Sequence, residues 1–160
     1  MFVIALAACG GPLEPPPPHR CHSDEARIDV APPRESFGTL APDDPLWYGT
    51  PPQGGAPYSP LRVRVRGDEA FAEGIDLTIE AYDRDTDERL AELVLETQMI
   101  CANVGENTGF WVGSEIHLRY VGFDLEELEG RPVELTVRAA AHDSAVAISS
   151  AWRVALASSE

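Results

Sequence analysis

Basic side chains are scarce in this chain of 160 residues. Only 12 residues are Lys or Arg, whereas 27 are Asp or Glu, which gives a formal net charge of −15. Nucleic acids and anionic lipid surfaces are bound through positively charged faces. The charge balance therefore excludes simple electrostatic binding to either of them. It is typical of a well-solvated surface, and as a functional signal it favours cations or basic partners.

Long apolar runs are also missing. No stretch approaches the ~20 consecutive apolar residues that a membrane-spanning helix needs. Any association with a membrane must therefore come from an anchor. The chain length leaves room for one domain with a substantial core once the low-complexity N-terminal part is subtracted.

The N-terminus supplies a candidate anchor. Residues 1–9 form an apolar run that narrows to small side chains and ends at a cysteine, which is typical of the end of a signal peptide. The segment Leu6-Ala7-Ala8-Cys9 resembles the lipobox of bacterial lipoproteins. The resemblance implies cleavage before Cys9 and acylation of its thiol and its new amino group. Because a signal usually runs to ~15 to 30 residues with a basic start, we expect the true start to lie upstream.

Gly10 follows the lipobox cysteine. In the lipoproteins that this motif resembles, an Asp at this position retains the protein in the inner membrane. The resemblance therefore implies anchoring in the outer membrane, on its periplasmic face or at the cell surface. The alternative is a buried apolar strand with Cys9 in the core, which the prolines at 12 and 15–18 disfavour because proline cannot continue a strand.

If the protein is exported, the other two cysteines favour a disulfide. Cys21 and Cys101 would meet an oxidising compartment, where two remaining thiols favour one disulfide. Two unpaired thiols stay open as the alternative, because spacing in sequence does not establish proximity. A metal site built from His19, Cys21, His22 and Cys101 is disfavoured, since the cluster lacks the paired CxxC or HxxxH spacings of such sites.

Proline divides the chain into regions. Thirteen of the fourteen prolines precede Leu61, and the prolines at 12 and 15–18 make the start of the mature chain extended. We interpret residues 1–8 as the remnant of a signal peptide and residues 9–24 as the lipidated cysteine and a disordered Pro-rich tether. Residues 25–158 then form the domain.

Period-two alternation of apolar and polar side chains predicts strands throughout that domain. The alternating segments are 27–30, 61–66, 75–82, 92–97, 115–120, 133–138 and 152–156. Helical periodicity is nearly absent, apart from a single turn predicted at 124–129. Several half-buried strands separated by turns indicate antiparallel sheets with one solvated face, and two such sheets packed face to face make a sandwich. We therefore predict an all-β fold.

Two turn motifs lie between predicted strands of this domain. Residues 52–55 read PQGG after Pro51, and residues 83–86 read DRDT before Asp87. These motifs resemble those of a group of uncharacterised bacterial lipoproteins that contain an immunoglobulin-like domain. In that group a GPQGG turn precedes one strand and a D-x-D-T-G hairpin follows the next, so Asp87 replaces the hairpin glycine. The likeness covers residues 26–158 and implies an antiparallel immunoglobulin-like β-sandwich. The group has no established activity to transfer.

Alternate carboxylates in the second turn form the sharpest candidate for a metal site. Asp83, Asp85, Asp87 and Glu88 could converge on Ca²⁺, which takes six to eight oxygen ligands. The pattern departs from an EF-hand loop, because Glu88 occupies the position of the required glycine and Val94 that of the bidentate glutamate. A solvated hairpin turn is the favoured interpretation.

Aromatic side chains near turns offer a second kind of site. Trp47, Tyr48 and Trp111, together with Tyr58 and Phe110, could stack on sugars or on an apolar patch of a partner. The favoured alternative is that these rings fill the ends of the sandwich core.

Motifs for catalysis are weak. The segment His142-Asp143-Ser144 has the residue types of a hydrolase triad, but neighbours on an extended chain point to opposite faces, so a turn is favoured. Phosphate-binding loops, nucleophile elbows and spaced metal motifs are missing. A hydrolase would need His117 or His142 to face a cleft beside an acid.

We predict a lipid-anchored protein of the cell envelope with a non-enzymatic domain for recognition or scaffolding. Its partner would be a protein or a glycan. A Ca²⁺- or glycan-binding module is the first alternative and an envelope hydrolase the second.

Overall fold

Ten β-strands make up most of the computed structural model, which describes residues 21–38 and 40–159. Cys9, the predicted signal-peptide remnant 1–8 and residues 10–20 of the predicted tether lie outside the described residues. The strands are β1 (Arg27–Ala31), β2 (Asp44–Tyr48), β3 (Tyr58–Arg66), β4 (Ile75–Asp83), β5 (Arg89–Thr97), β6 (Ile100–Cys101), β7 (Trp111–Val112), β8 (Ile116–Arg119), β9 (Pro132–Ala141) and β10 (Ala147–Ser158). One short helix, α1 (Leu125–Leu128), and 3₁₀ turns at Glu69–Glu73 and Gly105–Asn107 complete the described elements. In this described part, no helix has the length and hydropathy that crossing a bilayer requires.

The strands form two sheets. In the larger sheet the order is β2-β10-β9-β4-β5, with β2 parallel to β10 and the other neighbours antiparallel. The smaller sheet has the order β1-β3-β7-β6, and β8 pairs with the first half of β3. Apolar side chains from both sheets pack into one buried cluster between them. The fold is therefore an all-β sandwich, as predicted.

Alternation in the sequence produces the two central strands of the larger sheet. In β4 and β9 every second side chain is buried between the sheets, and the side chains between them face outward. Each of these strands has a hydrogen-bonded neighbour on both sides, so its backbone groups are satisfied within the sheet. The predicted strands at 75–82 and 133–138 are confirmed and are longer than the alternating runs alone.

The strand β2 was not predicted, because its sequence, DPLWY, is short and contains Pro45. Proline is tolerated there since β2 is the edge strand of the larger sheet. The alternation is nevertheless present: Leu46 and Tyr48 are buried, and Trp47 points outward.

The first described residues, which we predicted to belong to the tether, are attached to the domain. Cys21 is fully buried and forms a disulfide with Cys101 at the end of β6, with 5.8 Å between the Cα atoms. The backbone N–H of Ser23 donates to the carbonyl of Gly67 at 2.9 Å. The sandwich is therefore held to its N-terminal segment by a covalent bond as well as by backbone pairing.

A buried ion pair lies on the outer face of the smaller sheet. The Arg64 guanidinium donates through Nε to Asp29 Oδ2 at 2.9 Å, and the two side chains are only 8% and 7% exposed. Arg27 donates to the other oxygen of Asp29 at 2.6 Å. The rings of Phe37 and Phe110 lie over the Arg64 guanidinium, with their centres 4.3 and 4.0 Å from its carbon atom. This cluster attaches two loops to a face that the alternating sequence predicted to be solvated.

Candidate functional site

A groove of about 520 Å³ opens along one side of the sandwich, between β5 of the larger sheet and β8 of the smaller one. Both strands lie at an edge there, because β5 is the last strand of its sheet and β8 pairs only with β3. No backbone pairing joins the two sheets along this side in the part of the chain described. Side chains that face the interior are therefore accessible between the two strands.

The groove has an apolar floor and a polar rim. The inward-facing residues of β5, Leu93, Leu95 and Thr97, are half-buried, and Leu77 lies beneath them, fully buried. Met99 and Ile116 are buried at its sides. The rim is formed by Glu92, Glu115, His117, Arg119 and Val121. An apolar floor with a few polar groups at the edge is the common character of binding pockets.

Exposed apolar side chains occur on the segments that form the groove, although only Val121 lines it. Val94 on β5 is 67% exposed, and Val121 at the rim and Ile100 beside Met99 are more exposed still. Together they make up half of the six large apolar side chains that are exposed in the described residues. Single exposed apolar residues are ordinary, whereas a group beside an apolar groove marks a contact surface.

Gly113 keeps one end of the groove open. A Cβ atom at this position would lie 3.4 Å from Met99 Cε and 3.8 Å from Thr97 Oγ1. The Met99 side chain is flexible and can yield, so a larger residue here would fill the groove rather than break the fold. Gly113 is thus the position from which the groove can be blocked.

The outer face beside the groove is acidic. The register of β4 and β5 places Asp76 opposite Glu96 and Glu80 opposite Glu92. Like charges directly opposite each other destabilise a sheet. Arg89 relieves the second pair, since its guanidinium lies 2.8 Å from Glu92 and 3.7 Å from Glu80.

His142 lies beside the first of these acidic pairs, in a cleft of about 270 Å³. Its Nδ1 is 3.3 Å from Asp76 Oδ1, and its Nε2 is 3.6 Å from Asp143. The hydrogen bond to Asp76, followed by the negative charges of Asp143 and Asp76, raises the pKa of the imidazole. Protonated His142 therefore offsets the repulsion between Asp76 and Glu96.

His117 and His142, the two histidines on which the hydrolase alternative depends, both lie at clefts beside an acidic residue. His117 Nε2 is 3.2 Å from Glu115, and the Tyr58 ring packs on its imidazole at 4.5 Å between centres. Within 21–38 and 40–159, neither imidazole has a hydroxyl group at hydrogen-bonding distance. Ser144 instead accepts a hydrogen bond from the backbone of the same turn. The segment 142–144 is therefore a turn between β9 and β10 and not a triad.

The carboxylates proposed to bind Ca²⁺ have other partners. Asp83 accepts from the backbone N–H groups of Asp85 at 2.8 Å and Thr86 at 3.1 Å, and its other oxygen lies 3.2 Å from Arg131. Glu88 also pairs with Arg131 at 3.2 Å. Burial of Asp83 raises its pKa, but the backbone donors and the guanidinium outweigh burial and hold the pKa below its usual value.

The favoured interpretation of this loop, a hairpin turn, therefore agrees with the structure. Asp83 is used by the hairpin turn, and Asp85 and Asp87 do not converge with Glu88 on one point. The described residues contain no group of three or more His, Cys, Asp or Glu side chains that could hold a metal ion. The metal site considered at Cys21 and Cys101 is not formed either, because their sulfurs are bonded to each other, and His19 lies outside the described residues.

Asp87 adopts a backbone conformation that glycine would adopt more easily. Its φ is 61°, and its N–H donates to the Asp83 carbonyl at 2.9 Å to close the turn. Left-handed backbone is unfavourable for residues with a Cβ and free for glycine. Asp87→Gly should therefore stabilise the domain by about 0.5–1 kcal/mol. Chemical denaturation would measure it.

The matched control for that substitution is Asp85→Gly. Asp85 lies in the same loop without a positive φ, so glycine there adds chain entropy to the unfolded state with no strain to relieve. It should be neutral or destabilising. Equal effects of the two substitutions would contradict the strain argument.

Three of the five aromatic residues suggested for stacking, Trp47, Tyr48 and Trp111, are placed differently from one another. Tyr48 and Trp111 are buried in the core, so the suggestion that they stack on a ligand is wrong. The Tyr48 hydroxyl lies 2.8 Å from the Leu125 carbonyl and 2.9 Å from Glu129, and burial together with Glu129 raises its pKa to about 12. Trp47 is 42% exposed.

Trp47 lines a shallow cleft of about 380 Å³ with Tyr58 and three prolines, Pro32, Pro33 and Pro60. The cleft is separate from the groove, although Glu115 borders both. It is the remaining place where a ring could stack on a sugar.

Comparison with known proteins adds no relative from which a function could be carried over. No family model matches the chain, and no curated protein and no solved structure is significantly similar to it. The function must therefore be argued from the groove, the edge strand beside it and the charges around them.

Proposed function

We propose that this protein is a lipid-anchored component of the cell envelope whose immunoglobulin-like domain recognises a protein partner without catalysis. The observation that carries the recognition role is the apolar groove between β5 and β8, with exposed apolar side chains beside it. A groove that opens directly onto the core can take apolar side chains of a partner.

The order of the strands supports the immunoglobulin-like assignment. In such domains strands A, B and E share one sheet, strands C, F and G share the other, and variable-type domains add C′ beside C. Here β1, β3 and β8 are neighbours in one sheet, and β5, β4, β9 and β10 follow one another in the other. The disulfide departs from that pattern, because it joins the N-terminal segment to β6 and not strand B to strand F.

The non-catalytic role is supported by the surroundings of the two histidines at clefts. In the described residues, the hydrogen-bond partners of both imidazoles are carboxylates. An imidazole of this kind lacks the hydroxyl or thiol that nucleophilic catalysis would need.

The anchor rests on the lipobox-like segment and is tested separately from the groove. Cys9→Ser should remove the lipid mass from the mature N-terminus and release the protein from the outer-membrane fraction. Mass spectrometry of the full-length protein isolated from cells would show this. An unacylated wild-type N-terminus would overturn the anchor and leave the recognition role untouched.

Photo-crosslinking in intact cells tests the recognition role. A photoreactive amino acid at Val121, on the rim of the groove, should give one discrete protein adduct, and so should one at Val94, which is exposed on the outer face of β5 between Leu93 and Leu95. Val104 is the matched control, since it is an equally apolar residue, 77% exposed, outside the groove. The adduct should disappear when Gly113→Leu fills the groove. Equal labelling at Val104, or no adduct at Val94 and Val121, would overturn the proposal.

The exposure of Trp47 favours a glycan-binding module as the second candidate. Stacking of a sugar on the exposed indole would not involve the groove. It would use the cleft that Trp47 forms with Tyr58 and Pro60. Trp47→Ala should then abolish binding to an array of envelope glycans, and Gly113→Leu should leave that binding unchanged. An array on which the wild-type protein binds nothing would remove this candidate.

A further inference from the structure

The strand β5 has a free edge beside the groove. It is nine residues long and pairs on one side with β4, and no other strand of the described residues pairs with its second side. In an antiparallel pair, alternate N–H and C=O groups point away from the partner strand. The outward groups of β5 can therefore accept another strand. A complementary segment would span ~30 Å at ~3.4 Å per residue.

The groove sets the character of one face of an added strand. The inward-facing residues of β5, Leu93 and Leu95, are half-buried at the mouth of the groove. A strand paired to β5 would continue the sheet, so its inward side chains would lie over the groove and against Ile116 and Met99. Apolar side chains there would extend the core of the sandwich.

The acidic face sets the character of the other face. Outward-facing Glu92 and Glu96 flank Val94 on β5, and Glu80 and Asp76 lie opposite them on β4. A strand added at this edge would place its outward side chains directly beside Glu92 and Glu96. Basic residues would be stabilised there by four carboxylates, of which Glu92 and Glu80 also contact Arg89 and Asp76 also contacts His142.

Charge argues against a second copy of this chain as the occupant. Two chains of formal charge −15 repel each other. An antiparallel pairing of two β5 strands centred on Val94 would also place Glu92 opposite Glu96. The N-terminal segment 10–20 is a poor donor strand as well, because five of its eleven residues are prolines, which have no N–H.

We propose that β5 is the docking strand for an extended segment of a partner protein in which apolar side chains alternate with Arg or Lys. The segment pairs with the free edge of β5, its apolar side chains enter the groove, and its basic side chains contact Glu92 and Glu96. This inference rests on the proposed recognition role and specifies its ligand class.

The probe is a synthetic nine-residue peptide, acetyl-LRVRVRVRL-amide, added to the full-length protein at about 150 mM salt, where exposed charges are partly screened. Binding should increase the hydrogen-exchange protection of amides in β5 and leave β2, the opposite edge of the sheet, unchanged. The same peptide N-methylated at alternate backbone nitrogens should bind at least about tenfold more weakly, because it cannot complete the ladder.

Charge reversal on β5 tests the second face. The double variant Glu92→Arg with Glu96→Arg should bind the peptide about tenfold more weakly, or more weakly still. The matched control is Glu25→Arg with Glu126→Arg, which makes the same change in net charge at two exposed positions away from β5. Calorimetric titration would give the affinities. Equal losses in both pairs would show attraction by net charge alone and overturn the proposal.

The outcomes separate this inference from the recognition role. If Val94 and Val121 crosslink a partner in cells and the peptide does not protect β5, strand addition is wrong and recognition at the groove stands. If neither occurs, both are wrong. Concentration-dependent dimerisation through β5 in sedimentation experiments would replace the peptide segment with a second copy and overturn the proposal.

Discussion

Removal of the Cys21–Cys101 disulfide is expected to lower the free energy of unfolding by about 4 kcal/mol. The bond closes a loop across a sequence separation of 80 residues, and in the chain-entropy description loops of this length contribute about 4.5 kcal/mol by restricting the unfolded chain. Native disulfides of small exported domains are worth about 2–5 kcal/mol. The double variant Cys21→Ser with Cys101→Ser removes the bond without leaving a free thiol, and urea denaturation would measure the loss.

Reduced wild-type protein is the control for that variant. If the covalent constraint is responsible, reduction should destabilise the domain as much as the double substitution does. The N-terminal segment should also lose its ordered structure locally. Cys21 is fully buried, and the backbone hydrogen bond from Ser23 to Gly67 is the nearest other attachment of this segment. Hydrogen exchange in residues 21–24 and in β6 should accelerate first. An unchanged denaturation midpoint would contradict the prediction.

The disulfide attaches the N-terminal segment, which would carry the proposed anchor, near one end of the groove. Cys101 lies two residues after Met99, which forms a side of the groove, and β6 pairs with β7 just before Gly113. Tension on a lipid-anchored N-terminal segment would therefore reach the domain at the end of the groove. The proposed binding strand β5 ends two residues before Met99, so the attachment lies close to the docking edge in sequence as well.

Much of the fold could be predicted because its main strands alternate. The segments at 61–66, 75–82 and 133–138 each bury one face, and the period of two is visible in the sequence alone. The two-residue strands β6 and β7 are too short to show a period. In β2 only Leu46, Trp47 and Tyr48 alternate. Three residues after a proline are too few to predict a strand from the sequence.

The groove could not be predicted in the same way. The apolar residues Leu93 and Leu95 were expected to face a core, and they do face the interior. What leaves them half-exposed is the position of β5 at the edge of its sheet, opposite an edge strand of the other sheet. Strand order depends on pairing between segments far apart in sequence, which local periodicity does not specify.

For two of the aromatic residues the favoured interpretation is confirmed, because Trp111 and Tyr48 lie in the core and do not face a ligand. Trp111 and Tyr48 stand beside turns in the sequence, and turns are usually solvated. In the fold, Trp111 lies on β7 and Tyr48 at the end of β2, and both rings belong to the buried core. The signal for Tyr48 was its spacing of two from Leu46, which puts both on the same face.

Asp29→Ala is expected to destabilise the domain by about 3 kcal/mol, because it leaves the Arg64 guanidinium buried without its carboxylate. The local sequence gives no warning of this, since Asp29 lies at an outward position of an edge strand and its partner is 35 residues away. Arg62→Ala is the matched control. Arg62 stacks on the same Phe37 ring but is more exposed, so its loss should cost less than about 1 kcal/mol.

A double substitution separates the net contribution of the Asp29–Arg64 pair to stability from the destabilisation that follows when only one partner is removed. Asp29→Leu with Arg64→Met replaces both charges with apolar side chains beneath Phe37 and Phe110. Because desolvation offsets much of the attraction in a buried pair, this variant should be more stable than Asp29→Leu alone, the single variant that closes the cycle with Arg64→Met. Arg64→Met alone should cost less than Asp29→Ala, since Asp29 keeps its hydrogen bond from Arg27 at 2.6 Å. Additive losses across the cycle would mean that Asp29 and Arg64 act independently and that the outer face is held by the phenylalanine rings instead.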